Sequence, residues 1–367
     1  MDSHLHERFA EFTARRLGIF YPKTDLQVAD SVLENLRNQP DSDFGLTPEI
    51  VKAVAVAAFP DARPVVQRND RQGTFHRLYR VELPTQTWVL RFNITGAWWG
   101  GCTLQLENWV ANRARAGGIP TPEILLTDIS RRICPLDYQI TGFAPGNGLQ
   151  DYDADEPALQ RLLVPLGAVF ARLHGIRMQR YGWLDARALF AEPPTEPAGL
   201  FDEWLDYLTL KLDAHVEDCV KLNALAVPTA RRILDHFSQL VPQLSGFQPT
   251  LLHGDPGNHN VTTDGNDITA LLDWEDCLAG DPVYEIAFWA TFHPERRHAA
   301  FLEGYRSIRA LPEDFEVRFW LYFLRISLAK TVHRHRFGYA DKPGRPPASQ
   351  RIQTALDRLE AVLVTYS

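Results

Sequence analysis

The residues whose types and spacing could do chemistry lie between Leu251 and Ala287. The stretch reads Leu251-Leu252-His253-Gly254-Asp255, then Pro256-Gly257-Asn258-His259-Asn260. The turn-forming run Asp264-Gly265-Asn266-Asp267 follows, and then Leu271-Leu272-Asp273-Trp274-Glu275. Gly280-Asp281-Pro282 and Tyr284-Glu285-Ile286-Ala287 close the segment. Strands are predicted over 260–263 and 268–272, joined by that turn. Antiparallel pairing sets Asn260, at the start of one strand, beside Asp273, just past the end of the other. An amide oxygen and a carboxylate reaching one point make a hard-oxygen ligand pair. It suits Mg²⁺, which takes few protein ligands and leaves room for substrate phosphates. Asp255 lies on an irregular loop between Gly254 and Pro256. It brings a second carboxylate near that point, placed to accept a proton from an attacking hydroxyl. His253 is a second candidate base, but Asp255 already fits that role, so His253 is read as shaping the loop. Asp281, before Pro282, is read as a helix cap, with contact to the loop as the alternative.

The elements that must position these groups are legible in outline. The chain has 367 residues, 45% hydrophobic and 23% charged, as in ordinary soluble proteins. Phe9, Phe12, Leu17 and Ile19 suggest one amphipathic helix, and Leu26, Val28, Val32 and Leu36 a second. Thr47-Pro48 starts a third in capped form. From Arg63 the pattern turns to strands: Val65 and Val66, then 76–83 and 87–93. Gly100-Gly101 precede a helix predicted over 104–116 with Thr103 as its cap, stopped by Gly117-Gly118. Strands are predicted over 123–127 and 137–142. Ala144-Pro145-Gly146-Asn147-Gly148 reads as a linker. Beyond it the chain is mostly helical, with helices expected over 200–212, 229–240, 283–291, 314–334 and 349–364. A further helix contains Leu159 to Leu173 and is kinked at Pro165. The fold class is α+β: residues 46–143 form a small antiparallel-sheet lobe and 144–367 a large helical lobe. Residues 1–45 are a helical extension that dimerises, covers the small lobe or helps form the acceptor site.

Several classes are excluded or disfavoured. The net charge of −8 argues against a phosphate-neutralising nucleic-acid binder. No run of apolar residues is long enough to span a membrane, and the first residues lack an apolar signal core, so a cytoplasmic protein is expected. Cys102, Cys134, Cys219 and Cys277 form no CxxC pair and are expected as reduced, packed thiols. His293, His298, His333 and His335 lack a partner cluster and are expected at the surface.

His253-Gly254-Asp255 followed by Asn260, the hairpin and Asp273-Trp274-Glu275 resembles the aminoglycoside phosphotransferase family, whose fold is similar to that of protein kinases. The resemblance implies Asp255 as the catalytic base and Asn260 and Asp273 as Mg²⁺ ligands. Catalysis in such a site is mainly positioning and charge neutralisation around the transferring phosphoryl group. The template also asks for a cation on the third strand and a carboxylate on the next helix. Arg91 is the only basic residue between Arg80 and Arg113, and Glu107 the only acid between Leu83 and Glu123. Arg91 replaces the lysine of protein kinases, and a guanidinium can still grip the α- and β-phosphates with two donors. The phosphate-covering loop is Gln72-Gly73-Thr74-Phe75-His76. It has one glycine, which puts Gly73 and Thr74 at the phosphates but leaves the covering amides unassigned. The resemblance places adenine against the backbone of Gln139, Ile140, Thr141, Gly142 and Phe143. That contact is mostly main chain, so it fits ATP and GTP alike.

Val89-Leu90-Arg91, Gly148-Leu149-Gln150-Asp151 and Tyr284-Glu285-Ile286-Ala287 resemble the hygromycin B kinase branch. The expected activity is therefore phosphoryl transfer from ATP to a hydroxyl of an aminoglycoside-like or other natural-product antibiotic, conferring resistance. Asp151, Asp153, Glu275 and Asp276 are candidate contacts for ammonium groups. For Asp151, Asp153, Asp155 and Glu156 the simpler reading is favourable charge at a helix N-terminus. The rivals are a metabolite kinase for a sugar, choline or homoserine, and a nucleotide-binding pseudokinase. Intact Asp255, Asn260, Asp273 and Arg91 argue against the latter. Monomer and homodimer both fit. Trp98-Trp99 reads as core packing or as a flap over ligand.

Overall fold

Buried and less buried residues alternate along His76–Glu82 and Thr87–Asn93, so these stretches pair as a hairpin with one face inward. The structure is a computed structural model. It describes residues 3–25, 44–73, 75–95, 97–244, 246–338, 340 and 347–366. The hairpin strands are β2 and β3, preceded by β1 (Val65–Arg68) and followed by β4 (Ile124–Asp128) and β5 (Tyr138–Gly142). The sheet order is β1-β2-β3-β5-β4, with Arg91 of β3 opposite Gln139 of β5. Val81, Leu90, Phe92 and Ile140 are sealed on its inner face, against Val54 of a helix running Pro48–Ala58. That helix has the predicted cap: Thr47 accepts from the Ile50 amide at 3.3 Å.

We label the helices in chain order: α1 (Ser3–Arg16), α2 (Pro48–Ala58) and α3 (Ala97–Ala116). Helix α3 starts earlier than predicted and takes Gly100-Gly101 inside it. The glycines read as a break because they disfavour helix. Here Gly101 is a crossing point: a Cβ would overlap the Arg8 guanidinium, which reaches Asp137 Oδ2 at 2.7 Å. The side chains of Trp98 and Trp99 lie outside the described residues.

The linker is not free. Asn147–Gly148 forms a two-residue strand, β6, paired with Thr262 and Thr263. Gly146 (φ +94°) lets it approach, since a Cβ there would overlap the Thr263 carbonyl oxygen. Beyond it stand α4 (Glu156–Leu173), α5 (Leu212–Lys221), α6 (Val227–Leu240), α7 (Pro282–Ala290), α8 (His298–Arg306), α9 (Phe315–Arg336) and α10 (Ala348–Tyr366). Helix α4 runs as one element through Pro165. The helix expected over 200–212 is instead strand β8 (Gly199–Phe201), a short turn at Trp204–Leu208 and the start of α5. Strand β8 joins β7 (Tyr181–Leu184), β9 (Thr250–Leu252) and β12 (Leu278–Gly280) in the order β8-β7-β12-β9. These strands of three or four residues are too short to show a period, so pattern reading missed the sheet. The hairpin comprises β10 (Val261–Thr263) and β11 (Ile268–Leu271), and Asp264 Oδ1 accepts from the Asn266 and Asp267 amides in its turn.

The first helix of the extension packs into the helical body through Phe9 and Phe12. The second one expected, over 26–36, lies outside the described residues. All four cysteines are free and buried. The four histidines expected at the surface are half-buried. Neighbouring aromatics take up their faces: His293 stacks on Trp289 at 4.3 Å and His333 meets Tyr21 edge-on at 5.8 Å. No helix among the described residues is long and apolar enough to cross a membrane.

Candidate active site

Strand β9 delivers the chain into a tight loop. Gly254 is left-handed (φ +83°), and a Cβ there would overlap the Asp276 carbonyl oxygen. The loop is held from α7. Asp281 caps that helix by accepting from the Val283 amide at 3.0 Å, and Arg318 and Tyr322 hold its other oxygen. One turn on, the buried Glu285 carboxylate accepts from the backbone of His253 at 3.0 Å and of Gly254 at 2.7 Å. His174 faces the same carboxylate at 3.0 Å and Tyr305 at 2.9 Å. His253 spends both ring nitrogens on the loop. Nε2 donates to the Leu272 carbonyl at 2.8 Å, and Nδ1 accepts from the Asp255 amide at 3.4 Å. Burial pushes its pKa down. It is therefore a neutral loop-shaping residue, as the sequence suggested.

Asp255 emerges from this clamp only 4% exposed. Its Oδ2 accepts from Lys23 at 2.6 Å and faces His259 at 3.2 Å, while Oδ1 has no hydrogen-bond partner among the described residues. Burial alone would raise this carboxyl; the Lys23 ammonium and then the His259 contact outweigh it and hold it well below the usual carboxylate range. Asn260 donates through Nδ2 to the Asp255 carbonyl at 3.0 Å, which leaves its amide oxygen out of that bond. Its own carbonyl accepts from the Leu272 amide at 2.8 Å, so the hairpin brings Asn260 and Asp273 to one end. Asp273 takes a left-handed backbone (φ +65°) there.

Arg91 reaches across from the sheet. It donates to Glu107 Oε1 at 2.5 Å and to Asp273 Oδ1 at 2.7 Å. Glu107 also accepts from the Trp274 amide at 3.2 Å, which ties α3 to the turn after the hairpin. Arg91, Asp255, Asn260 and Asp273 line one cleft of about 690 Å³.

The nucleotide-side expectations divide. Gly73, the end of β5 at Thr141 and Gly142, and the following Phe143 line the cleft. Gln139 and Ile140 do not. Strand β5 lies between β3 and β4, so its middle is consumed by the sheet, and Gln139 spends its side chain on the Leu104 carbonyl. The Gly142 and Phe143 amides donate to Glu123 and Thr87 carbonyls, which removes them as adenine donors. Thr74 lies outside the described residues.

Of the acidic residues expected to meet ammonium groups, Asp151 and Asp153 are engaged within the protein. Asp151 pairs with Arg71 at 2.7 Å. Asp153 accepts from Asn258 at 3.1 Å and faces Arg297 at 3.5 Å. Asp276 is buried and does not line the cleft, and burial together with neighbouring acids pushes it up to about 6. Glu275 lines the cleft but is only 8% exposed.

Glu275, Asp273 and His76 form the one group of three potential metal ligands among the described residues, with ligand atoms within 4.8 Å of one another. Burial and then the Asp273 and Asp276 charges push Glu275 well above its ordinary pKa. Burial and then the Arg91 charge push His76 down to about 3. The Asp273 and Glu275 carboxylates, with Asn260 at the same end of the hairpin, offer the oxygen donors a hard divalent cation takes, whereas the His76 nitrogen is not one of them. The residues present therefore fit Mg²⁺ by their chemistry.

Sequence reasoning missed three residues here. Glu285 had a signal: it is the single acid in the apolar helix Pro282–Ala290. His76 shows in the sequence only as the end of the phosphate-covering loop and the start of a strand. Lys23 had none, because it reaches the site from a segment more than 200 positions upstream of Asp255.

This geometry, a cleft between an antiparallel sheet and a helical body with an acid–amide–acid set on its floor, is that of kinase-like phosphotransferases. The chain belongs to the phosphotransferase enzyme family, which matches residues 67–358. It is 26% identical over 306 residues to a hygromycin-B 4-O-kinase of Escherichia coli, covering 77% of this chain and 78% of that protein. Among solved structures, it resembles a thermostable mutant of aminoglycoside phosphotransferase APH(4)-Ia in ternary complex with AMP-PNP and hygromycin B. The TM-score is 0.61 at 21% identity, over 84% of this chain and 98% of that one. It also shares its fold with a putative fructosamine-3-kinase from Thermobifida fusca, with a TM-score of 0.55 at 17% identity, over 85% and 99% of the two chains. The kinase-like fold and the phosphotransferase class read from the sequence stand.

Proposed function

We propose that this phosphotransferase moves the γ-phosphoryl group of ATP to a hydroxyl of an aminoglycoside-like antibiotic, as its hygromycin-B 4-O-kinase relative does by name. The observation that carries the reading is the convergence of Asp255, Asn260, Asp273 and Arg91 on one cleft in a chain of this family. In this reading Asp255 receives the hydroxyl proton through Oδ1, which has no hydrogen-bond partner among the described residues. Arg91, held at the cleft by Glu107 and Asp273, supplies the cation for the α- and β-phosphates. Asn260 and Asp273 would hold Mg²⁺, which supplies charge neutralisation for the phosphates when bound. Thr141 to Phe143 flank the adenine. A neighbour solved with AMP-PNP supports a nucleotide in this cleft.

The second reading, a metabolite kinase of the same fold, is favoured by one observation. The carboxylates available for ammonium groups are already paired or buried, as Asp151, Asp153 and Asp276 illustrate. Mass spectrometry of hygromycin B and a panel of aminoglycosides, sugars and amino alcohols with Mg-ATP separates the readings. Gain of one phosphoryl group on hygromycin B supports the first. Turnover confined to a non-antibiotic acceptor replaces it with the second. Asp255→Asn should lose transfer while still binding nucleotide; retained turnover would take the base role from Asp255.

A further inference from the structure

The N-terminal segment places a cation on the candidate base, and no motif assigns it. Lys23 lies well before residue 67, where the family match begins. Its Nζ lies 2.6 Å from Asp255 Oδ2, and it lines the same cleft as Asn260 and Asp273.

The segment that carries Lys23 is built into the body rather than laid over it. Arg16 is fully buried, with its guanidinium 4.3 Å from the Trp183 ring and a donor on the Glu275 carbonyl at 3.0 Å. Trp183 donates to the Ile19 carbonyl at 2.6 Å and Tyr207 to that of Phe20 at 3.2 Å. Asp25 accepts from the Phe20 and Tyr21 amides, both at 2.8 Å, and its other oxygen meets the buried His215 at 2.7 Å. Thr24 donates to the Ala329 carbonyl at 2.9 Å, and His333 meets the Lys23 carbonyl at 3.2 Å. A stretch so anchored opens only at high cost, so Lys23 is a fixed wall of the site.

We propose that Lys23 is a positioning residue of the phosphotransfer site. By holding Asp255 through Oδ2, it fixes the carboxylate so that Oδ1 alone is presented to the acceptor hydroxyl. The two oxygens of Asp255 are unequal: Oδ2 has Lys23 and His259, and Oδ1 has no hydrogen-bond partner among the described residues. A carboxylate held by one oxygen offers the other in a defined direction, which is what a near-attack arrangement requires. The inference rests on the proposed role of Asp255, so its test needs a readout independent of turnover.

The test uses Lys23→Met and Lys23→Arg in the full chain. Probes are Mg-ATP hydrolysis without acceptor and phosphorylation of hygromycin B. For Lys23→Met we expect kcat to fall about 10²-fold, a loss typical of a misplaced reacting group, with the KM for ATP within about twofold. Lys23→Arg should recover to within about tenfold of the wild type, since it keeps the charge and a donor. Wild-type kcat in Lys23→Met overturns the proposal. So does a loss that Lys23→Arg fails to recover, because that marks packing rather than positioning. If the wild type turns over neither probe, the functional reading fails and the decision passes to NMR of the lysine ammonium. A slowly exchanging Lys23 signal that disappears in Asp255→Asn supports the contact, and one that persists overturns it.

Discussion

Replacing Glu285 by glutamine changes a single atom type on a buried side chain, yet it should disturb the whole catalytic loop. The carboxylate accepts two backbone amides, His253 at 3.0 Å and Gly254 at 2.7 Å, and also faces His174 at 3.0 Å. A carboxylate can accept on every side, whereas an amide has one accepting end. Whichever way the glutamine turns, its NH₂ faces one of the two backbone N–H groups. A buried donor left without a partner costs about 1–3 kcal/mol, and the surviving bond loses its charge assistance, a further ~1 kcal/mol. The destabilisation should therefore be about 3 kcal/mol. The perturbed part is His253-Gly254, directly before Asp255, so kcat should fall about 10²-fold while the KM for ATP, whose adenine and Arg91 contacts lie on the sheet, changes little. Urea unfolding measures the first effect and initial rates of ADP formation the second. A Glu285→Gln enzyme with unfolding free energy within about 0.5 kcal/mol of wild type, and undiminished kcat, would refute the idea that this carboxylate builds the loop.

Other perturbations are as specific. Gly254→Ala puts a methyl group onto the Asp276 carbonyl oxygen at a left-handed position, so soluble expression or activity should be lost; an active, stable variant would contradict the loop geometry. Arg91→Lys keeps the charge but not the fork that spans Glu107 and Asp273, and should raise the KM for ATP about tenfold by steady-state kinetics. Burial and then the Lys23 charge push His333 down to about 3 from 6.5. The unfolded state therefore binds more protons below pH 6.5, and wild-type stability falls as pH falls through that range. His333→Phe removes this liability, so its stability relative to wild type should improve by about 1 kcal/mol per pH unit below 6.5, read by urea unfolding at two pH values.

How much of this was legible depended on where each signal resides. Thr47-Pro48 announced its helix because capping is local chemistry. The Asn260–Asp273 arrangement was legible because hairpin pairing turns a short sequence interval into a spatial one. Arg91 and Glu107 were found as lone charges in apolar stretches, and they meet at 2.5 Å. Gly100-Gly101 misled because propensity speaks against helix at the very place where another side chain needs to cross. Gln139 and Ile140 were placed at the nucleotide by analogy, but a strand paired on both edges has no main chain to spare there. Lys23 was illegible: nothing near it in the sequence announces a partner at Asp255.

The pairing of Asn147-Gly148 with Thr262-Thr263 restricts how the two halves of the molecule can swing. The connector is stapled to the very ribbon that bears Asn260, which leaves Ala144 to Gly146 as the short free stretch of this joint. Gly146 is itself pressed against that ribbon. The floor of the cleft and the connector therefore form one hydrogen-bonded unit, to which the small lobe is further tied by Arg91 at Asp273 and Glu107 at the Trp274 amide.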